Sequence, residues 1–413
     1  MYTGDMHNVF RANVPSSKSL SNRWLVLQHL SGGSIQLNNL STADDTQLLQ
    51  TLLSSLSRST HEVQTFHCDN AGTVARFLTA VLSATEGRYI VTGSDRMKQR
   101  PIAPLVNALN SMGASITYIS QHGHFPISIV GKPLQGGRVD IDASQSSQFV
   151  SALMLIAPFL PKGLTINIIG TMVSEPYISM TAHVLRQAGI AVHYTTNIIH
   201  VPNATPMCGG VRVESDWSSV AYLYNWVLLG GRPLYVAGLS LGSSQGDRVV
   251  ADIYRCMGVD TTPVDNGIML QRSAVCTSSL AYNFVGCPDL VPALVVACAT
   301  MGIEGKFEGL DALPYKETNR IKVLALELDK LNIKISYGYN SLYLWPRTGA
   351  IAVDKPICLS PHADHRMAMA FSAFLFLFPS VDIAISNPLC VAKSFPNYWH
   401  ELELYSGIHN GNI

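Results

Sequence analysis

The amino-acid sequence predicts an α/β protein built from about six similar units, and three observations support this prediction. Four helical segments each end at one Gly or Asn and pass directly into an alternating strand; the joints are Gly113, Gly189, Gly258 and Asn332. Successive joints are 76, 69 and 74 residues apart. A period of about 70 residues fits about six units into 413 residues. The alternative is a chance succession of joints that are common in any α/β protein.

Each joint fits the chemistry of a helix end. Glycine and asparagine tolerate the left-handed backbone conformation that closes many helices. The residues that follow alternate in polarity, as in I-T-Y-I after Gly113 and I-K-I-S after Asn332, which is typical of a strand with one buried face. We therefore expect the four joint residues to have positive φ angles.

Length and composition predict a large core without a global charge. Hydrophobic residues make up 47% of the chain and charged residues 14%, against ~25% charged residues in an average soluble protein. The 28 basic and 28 acidic residues balance, so no overall field attracts nucleic acid or a membrane. The longest apolar run, residues 367–378, is about half of a membrane span and is expected to be a buried helix. The length predicts two or three domains, with a division expected near residues 211–216.

The cysteines and the N-terminus bear on the cellular compartment. The eight cysteines include no C-x-x-C pair, which argues against a zinc site and against a disulfide framework. The first residues lack the basic-then-apolar pattern of a signal peptide. We therefore expect reduced thiols in a cytoplasmic protein without a bound metal.

The segment P-S-S-K-S-L-S-N-R, from Pro15 to Arg23, concentrates cations and hydroxyls before an apolar run. Lys18 is a flexible point charge and Arg23 a planar fork, so the two together suit a phosphate and a carboxylate. No glycine precedes Lys18 at the spacing of a P-loop, so nucleotide binding is not implied. A capped surface helix with two solvated charges is the alternative.

Other polar motifs in the first half also lie at expected element starts. N-A-G-T opens a helix, where Gly72 permits close approach of a ligand, and R-M-K-Q-R adds Arg96, Lys98 and Arg100. Helix caps and solvated loops are the alternatives. Hydroxyls and an amide that suit a hydroxylated, phosphorylated substrate come from Ser146, Ser147, Gln148, Ser174 and Tyr177.

The second half supplies titratable groups. Asp289 precedes an apolar helix, where a carboxylate is also a plain stabilising residue. If one helix carries both Lys316 and Arg320, they form a like-charge pair one turn apart that needs an anion between them. The remaining groups are Glu317, Asp364, His365, Arg366 and Lys393. Ten of the 28 lysines and arginines, Arg76 among them, lie in these motifs, which points to a site for anions.

Taken in order, nine motifs resemble those of the 5-enolpyruvylshikimate-3-phosphate synthases. They are S-K-S-x-S-N-R, N-A-G-T-x-x-R, R-M-K-x-R-P, S-S-Q-F, S-x-P-Y, P-D, K-E-T-x-R, D-H-R-M-A-M and A-K-S-F-P, and they span the chain from about Val14 to Trp399. The resemblance implies a transferase of the shikimate pathway of aromatic amino-acid biosynthesis. Such an enzyme moves the enolpyruvyl group of phosphoenolpyruvate onto the 5-hydroxyl of shikimate 3-phosphate and releases phosphate.

The same resemblance implies a fold and a domain division. The fold is two inside-out α/β barrel-like domains, each of three βαβαββ-type repeats, with the active site in the interdomain cleft. The upper domain is expected to comprise residues 17–214, and the lower domain residues 1–16 together with 215–413. No cofactor or metal is implied, and no partner beyond the two small-molecule substrates, so neither nucleic acid nor a membrane is expected. We expect a monomer in the cytoplasm.

The resemblance also implies roles for individual residues. Acid–base chemistry is implied for Asp289, Glu317 and Lys18. The implied contacts with shikimate 3-phosphate are Lys18, Ser19, Arg23, Ser146, Ser147, Gln148, Ser174, Tyr177, Asp289 and Lys316. The implied contacts with phosphoenolpyruvate are Lys18, Gly72, Arg100, Gln148, Arg320, Arg366 and Lys393.

Several positions depart from the family pattern. Ser16 replaces a glycine that is common before S-K-S, and Ala312, Pro314 and Asn319 replace an asparagine, an arginine and an aspartate that are common around Lys316. Two alternatives follow. One is an enolpyruvyl transferase that acts on a nucleotide sugar, which the S-K-S-x-S-N-R motif and the absence of a cysteine between residues 96 and 101 disfavour. The other is a catalytically silent homologue that binds phosphorylated ligands.

Overall fold

A computed structural model describes residues 9–56, 62–207, 209–351, 355–378 and 383–408. The chain forms two compact units: Lys18–Val213, and Met1–Ser17 together with Glu214–Ile413. We call them the 18–213 unit and the 214–413 unit. The predicted division differs from these bounds by one residue at each crossing.

The elements follow one another in α/β order. The α-helices are α1 (Lys18–Leu30), α2 (Asp44–Ser54), α3 (Gly72–Ala84), α4 (Asp95–Lys98), α5 (Ala103–Ser111), α6 (Ser147–Ile156), α7 (Glu175–Gln187), α8 (Trp217–Gly230), α9 (Val250–Met257), α10 (Val291–Met301), α11 (Arg320–Asp329), α12 (His365–Phe371) and α13 (Tyr398–Ser406). Short 3-10 helices span Ala157–Phe159, Gly246–Val249, Pro288–Leu290, Leu313–Tyr315, Ser372–Phe376 and Pro388–Lys393.

The strands are short. They are β1 (Phe10–Ala12), β2 (Gln36–Asn38), β3 (Val63–His67), β4 (Gly87–Thr92), β5 (Ser115–Tyr118), β6 (Ile127–Gly131), β7 (Gly137–Asp142), β8 (Leu164–Ile169), β9 (His193–Tyr194), β10 (Ile198–Val201), β11 (Gly210–Arg212), β12 (Leu234–Ala237), β13 (Val259–Val264), β14 (Gly267–Arg272), β15 (Ser279–Asn283), β16 (Glu304–Glu308), β17 (Ile335–Tyr337), β18 (Ser341–Leu344), β19 (Ile357–Leu359) and β20 (Ile383–Ile385).

One sheet topology occurs four times. The 18–213 unit contains sheets of order β3-β4-β6-β5 and β7-β8-β10-β9, and the 214–413 unit contains β1-β12-β14-β13 and β15-β16-β18-β17. In each sheet the first pair is parallel and the other two pairs are antiparallel, as in the register of Val63 with Arg88 in β3 and β4. Parallel two-stranded sheets, β2 with β11 and β19 with β20, complete the two units. The described residues thus form six sheets, and the predicted α/β class is confirmed.

The four joint residues occupy the same place in the four larger sheets. Each lies between the second helix of a repeat and its third strand, for example between α5 and β5. Their φ angles are +94° at Gly113, +81° at Gly189, +99° at Gly258 and +54° at Asn332. The predicted left-handed conformation is therefore confirmed, and the sequence period corresponds to a structural repeat.

Apolar helices form the core of each unit, and the sheets lie outside them. Helices α3 and α6 are buried almost throughout in the 18–213 unit, as are α8, α10 and α12 in the 214–413 unit. Such helices are apolar on all sides. The strands alternate instead, as in β8, where Leu164, Ile166 and Ile168 are buried. Residues 367–376 of the apolar run lie in α12 and the 3-10 helix after it, and residues 377–378 follow that helix. No helix in the described ranges is long and apolar enough to cross a membrane.

Candidate functional site

The predicted site residues collect at the N-terminal ends of the buried helices. Free backbone N–H groups and the helix dipole favour anions at such ends. The residues concerned are Lys18 at the start of α1, Gly72 at the start of α3, Gln148 in the first turn of α6, Asp289 before α10, Arg320 at the start of α11 and Arg366 in the first turn of α12.

Asp289 is the centre of a charged cluster in the 214–413 unit. Its Oδ1 atom accepts hydrogen bonds from Lys316 Nζ at 3.1 Å and Arg320 Nη1 at 2.8 Å, and its Oδ2 atom lies 3.0 Å from Arg366 Nη2. Burial alone would raise the pKa of Asp289, but Arg366, Lys316 and Arg320 together hold it well below its usual range. Asp289 is therefore ionised at neutral pH.

Arg320 connects this carboxylate to two others. Its Nε atom lies 2.8 Å from Asp364 Oδ2, its Nη2 atom 3.2 Å from Asp364 Oδ1, and the same Nη2 atom 3.0 Å from Glu317 Oε2. Burial would lower the pKa of Arg320, but the carboxylates of Asp364, Glu317 and Asp289 raise it above its usual range. Asp364 also caps α12 by accepting a hydrogen bond from the backbone N–H of Arg366. Arg320 and Arg366 are thus held by a shared carboxylate.

Lys393 is the fourth cation of the cluster and lies beside Glu317. Its Nζ atom lies 3.9 Å from Glu317 Oε1. The cluster so described has four cations and three carboxylates, which leaves one net positive charge. Two of the carboxylates, Asp289 and Glu317, stay partly accessible, with 14% and 11% of their side chains exposed.

One helix does not carry both Lys316 and Arg320, so the condition for a pair one turn apart on a helix is not met. Lys316 ends the 3-10 helix Leu313–Tyr315 in an extended conformation, and α11 begins only at Arg320. The Asp289 carboxylate contacts both cations, so an internal anion offsets their repulsion. Burial lowers the pKa of Lys316 from its usual value.

A second group of cations lies at the start of α3 in the 18–213 unit. Arg100 is 5% exposed and donates from Nη1 to the carbonyl of Asn70 at 3.1 Å, while its buried Nε atom has no hydrogen-bond partner in the described part of the chain. Arg76 Nη1 donates to Gln148 Oε1 at 2.6 Å. A Cβ atom on Gly72 would lie 2.6 Å from Nη2 of Arg100 and 2.6 Å from Nη1 of Arg76. Only glycine lets both guanidinium groups approach this helix end so closely.

Arg23 forms a third group, deep in the same unit. It is 2% exposed, and it donates from Nε to Thr181 Oγ1 at 2.8 Å, from Nη2 to the carbonyl of Tyr177 at 3.0 Å and from Nη1 to the carbonyl of Ser19 at 2.8 Å. Burial lowers the pKa of Arg23 to about 10. Arg23 therefore fixes the starts of α1 and α7 relative to each other.

The remaining predicted residues of this unit lie at helix starts. Lys18 Nζ lies 3.0 Å from Asp45 Oδ2. Ser146 caps α6 by accepting from the backbone N–H of Gln148, Ser147 begins α6, and Ser174 precedes α7 with a φ of +55°. The Gln148 side chain also donates to Thr73 Oγ1 at 2.9 Å.

The structure thus joins six predicted residues of the 214–413 unit in one cluster. The predicted residues of the 18–213 unit lie in three groups, around Lys18, around Arg23 and at the start of α3. Their convergence with the Asp289 cluster in one cleft stays a prediction, as do the roles implied for each residue.

Three residues of these groups have no role implied by the resemblance, and only Asp45 lies outside the predicted motifs. Asp45 pairs with Lys18, Arg76 binds Gln148, and Asp364 holds Arg320. Arg76 and Asp364 are themselves among the charged residues of the predicted motifs, so the sequence carries a signal for both. Asp45 lies in a D-D pair at the start of α2, which is equally typical of a plain helix N-terminus.

A further carboxyl group without a predicted role, that of Asp247, is buried near the Asp289 cluster. It is 2% exposed, and Ser218 Oγ donates to its Oδ2 atom at 2.5 Å. Burial, followed by the negative charge of Asp289, raises the pKa of Asp247 to about 6. Asp247 thus titrates in a range where ordinary aspartates are ionised.

The sequence and fold can be compared with those of known proteins. A family model described as EPSP synthase (3-phosphoshikimate 1-carboxyvinyltransferase) matches residues 10–402. The chain is 37% identical over 393 residues to a 3-phosphoshikimate 1-carboxyvinyltransferase of Bacteroides fragilis (strain YCH46), with 94% of this chain and 93% of the relative covered. It is 33% identical over 419 residues to the enzyme of the same name from Sulfurovum sp. (strain NBC37-1), with 95% and 96% covered.

Solved structures show the same fold at lower identity. An EPSP synthase structure from Acinetobacter baumannii superposes with a TM-score of 0.71 at 22% identity, and the match covers 97% of this chain and 96% of that one. A second structure of the enzyme from the same organism gives a TM-score of 0.69 at 21% identity, with 97% and 96% covered.

Proposed function

The chain belongs to the EPSP synthase family, and on that premise we propose how its charged residues handle the two substrates. The chain transfers the enolpyruvyl group of phosphoenolpyruvate to the 5-hydroxyl of shikimate 3-phosphate and releases phosphate, a step in the shikimate pathway of aromatic amino-acid biosynthesis. Both substrates are polyanions. Catalysis therefore requires cations that hold them together and groups that move two protons.

The observation that carries the proposal is the Asp289 cluster. A carboxylate held ionised by Arg366, Lys316 and Arg320 is available as a base. Two further residues of the cluster, Glu317 and Lys393, keep side chains that are partly accessible. The same group of residues therefore offers cations for anionic ligands and carboxylates for proton transfer.

The proposed reaction has two stages. In the first, Asp289 accepts the proton of the 5-hydroxyl of shikimate 3-phosphate, and the oxygen of that hydroxyl bonds to C2 of phosphoenolpyruvate. The C3 methylene of phosphoenolpyruvate gains a proton from Glu317 or Lys18. A tetrahedral phosphorylated intermediate results. In the second, the C3 methyl group returns a proton to the same residue, Glu317 or Lys18, and the electrons of that C–H bond reform the C2–C3 double bond. The C2–O bond to phosphate breaks at the same time, and the phosphate leaves with the proton that Asp289 had accepted.

Binding of the substrates is proposed to raise the basicity of Asp289. In the free protein its pKa lies well below the usual range because cations surround it. Arg320 and Arg366 are the proposed ligands of phosphoenolpyruvate, and an anion bound to them offsets part of their charge. The pKa of Asp289 then rises toward that of an effective base.

The proposed ligands in the 18–213 unit suit phosphate and carboxylate groups. Arg100 presents a buried guanidinium beside the first N–H groups of α3, with Gly72 and Gln148 next to it, and we propose that these three bind phosphoenolpyruvate with Lys18 and Lys393. Shikimate 3-phosphate is proposed to contact Lys18, Ser19, Arg23, Ser146, Ser147, Gln148, Ser174, Tyr177, Asp289 and Lys316. Of these, Arg23 is buried deeply enough that it also fixes its neighbours.

We also propose that the protein acts as a cytoplasmic monomer. The 28 basic and 28 acidic residues balance, so no overall field attracts the chain to a membrane or to nucleic acid. The described cysteines are free thiols, as expected in a reducing compartment.

The test is phosphate release by the purified protein. We expect release when phosphoenolpyruvate and shikimate 3-phosphate are present together and none from either alone. Replacement of shikimate 3-phosphate by a nucleotide sugar should abolish release. Release with the nucleotide sugar would favour the alternative transferase.

A calorimetric titration of the protein with each substrate distinguishes an active transferase from a catalytically silent homologue. If both substrates bind but no phosphate is released, the chain is a silent homologue. If neither substrate binds, the proposed ligand set is wrong.

A further inference from the structure

A buried carboxylate outside the proposed site holds the segment that carries Arg366. Glu327 lies in α11, seven residues after Arg320, so the two side chains share one face of the helix two turns apart. The Glu327 side chain is 1% exposed. A buried carboxylate is costly unless donors satisfy its oxygens, which directs attention to its partners.

Three groups satisfy Glu327. Its Oε2 atom accepts from the backbone N–H of Ser360 at 2.8 Å and from Lys330 Nζ at 2.6 Å. Its Oε1 atom lies 3.2 Å from His362 Nε2. Lys330 Nζ in turn donates to the carbonyl of Cys358 at 3.0 Å. Glu327 in α11 and Lys330 just after it therefore bind the segment 358–362 at three points.

The held segment contains an unusual backbone conformation. His362 and Ala363 have φ angles of +51° and +58°, a left-handed pair in which neither residue is glycine. Such conformations cost ~1 kcal/mol or more for each residue and persist only where the surroundings enforce them. Here Glu327 contacts Ser360, just before the pair, and His362, its first residue.

The contacts after the pair also lead to α11. Asp364 follows directly and accepts two hydrogen bonds from Arg320. Arg366 comes two residues later, and its backbone N–H donates to Asp364. Helix α11 thus contacts the chain on both sides of Ala363. Glu327 contacts Ser360 and His362, and Arg320 contacts Asp364. The orientation of Arg366 at the start of α12 therefore depends on both sets of contacts.

We propose that Glu327 is a positioning residue for Arg366. It acts through the backbone of residues 360–364 and touches neither substrate. This inference rests on the proposed role of Arg366 as a ligand of phosphoenolpyruvate. When Glu327 is removed, the left-handed pair relaxes and Arg366 loses its alignment, although Asp364 and Arg320 remain.

The chain offers a matched control. Glu401 is also a buried carboxylate of the 214–413 unit, and its Oε2 atom accepts from the backbone N–H of Asn13 at 3.1 Å. It also accepts from the side chain of Asn397 at 3.1 Å. Glu401→Ala therefore removes a comparable set of contacts far along the chain from the Arg366 segment.

Steady-state kinetics give the first readout. At a temperature at which all variants are folded, Glu327→Ala should raise KM for phosphoenolpyruvate about tenfold, while KM for shikimate 3-phosphate changes less than about twofold. Glu327→Gln keeps the side-chain oxygen that accepts from Ser360, so it should restore KM to within about threefold of the native value. Glu401→Ala should leave both KM values unchanged. Equal changes in the two KM values, or an unchanged KM for phosphoenolpyruvate, would overturn the proposal.

Amide hydrogen exchange gives a readout that does not need activity. Glu327→Ala should accelerate exchange at residues 360–367, Glu327→Gln should do so less, and Glu401→Ala should leave these amides as in the native protein. Unchanged exchange in Glu327→Ala overturns the positioning role even if the native protein shows no turnover. If exchange at residues 360–367 is faster in Glu327→Ala but the native protein is inactive, the contacts of Glu327 are confirmed and the proposed function is wrong. If Glu327→Ala does not fold, the Gln variant carries both measurements.

Discussion

The two units hold their arginines by different chemistry. In the 18–213 unit the described partners of Arg23 and Arg100 are hydroxyls and backbone carbonyls. In the 214–413 unit Arg320 is held by Asp289, Glu317 and Asp364. Neutral partners fix a guanidinium without cancelling its charge, whereas carboxylates cancel it and are themselves titratable. The first arrangement suits tight binding of an anion, and the second suits proton transfer.

The pKa shifts follow this difference. Arg23, among neutral partners, has its pKa lowered to about 10 by burial. Arg320 is as deeply buried, but its carboxylate partners raise its pKa. Lys18 differs from Arg23 and Arg100 in the chemistry of its partner, because it pairs with the carboxylate of Asp45. That difference agrees with the proposal that Lys18 takes part in proton transfer as well as in binding.

The largest effect is expected when the charge of Asp289 is removed, which tests whether the carboxylate-rich cluster serves proton transfer. Asp289→Asn keeps the shape but not the base, so kcat should fall about 10²–10⁴-fold. KM for phosphoenolpyruvate should stay the same or fall, because the cations of the cluster lose one internal anion. Steady-state phosphate release measures both constants.

The control is Asp252→Asn. This aspartate is half exposed, pairs with Arg248 and Arg255, and belongs to the same unit. Its replacement should leave kcat unchanged. If Asp289→Asn retains kcat within about threefold, the carboxylate-rich cluster is not the catalytic side.

The complementary experiment perturbs the arginines with neutral partners. In Gly72→Ala the new Cβ atom would lie 2.6 Å from Arg100 Nη2 and from Arg76 Nη1, so both guanidinium groups must move. KM for phosphoenolpyruvate should rise about tenfold, a loss of about 1.4 kcal/mol of binding, while kcat falls less. Thermal unfolding should change little, because the flexible ends of two side chains can shift.

Gly242→Ala is the matched control for Gly72→Ala. A Cβ atom there would meet only Ser240 Oγ, at 3.6 Å, so we expect native kinetics. A large loss of kcat in Gly72→Ala with unchanged KM would show that the helix start of α3 serves the chemical step and not binding.

The sequence predicts the repeat better than it predicts the contacts. Gly113, Gly189, Gly258 and Asn332 reveal the repeat because a left-handed helix end restricts the residue type locally. Strands β2 and β11 are three residues each and lie far apart in the chain. Pairing of that kind is decided by tertiary packing, so no local pattern predicts it.

The candidate site shows the same limit. Motifs at helix starts identify Lys18, Arg320 and Arg366 because an anion site needs cations there. The partners of these cations come from other segments: Asp45 is 27 residues from Lys18, and Asp364 is 44 residues from Arg320. Lys316 and Arg320 also show that sequence spacing alone does not place two residues on one helix. Charge type is local information, whereas pairing is not.

The smallest expected effect concerns stability, at Asp247. Its pKa in the folded protein is about 6, above the ordinary value of 3.8. Below pH 3.8 the carboxyl is neutral in both folded and unfolded chains, so it costs nothing. As pH rises through 6 the folded protein must carry a buried charge that the unfolded chain solvates, and stability is lost. Asp247→Asn removes this cost of about 1–3 kcal/mol.

Thermal unfolding at two pH values measures the effect of Asp247→Asn. The variant should unfold at a higher temperature than the native protein at pH 8, by about 2–4 °C, and with a smaller difference at pH 4.5. Asp252→Asn, which replaces a half-exposed carboxylate of the same unit, is the control. An equal shift at both pH values would mean that the pKa of Asp247 is the same in the folded and unfolded chains, so that folding does not raise it. In that case the carboxylates around Asp289 impose no net electrostatic cost, and the contrast between the two units reduces to their hydrogen-bond partners.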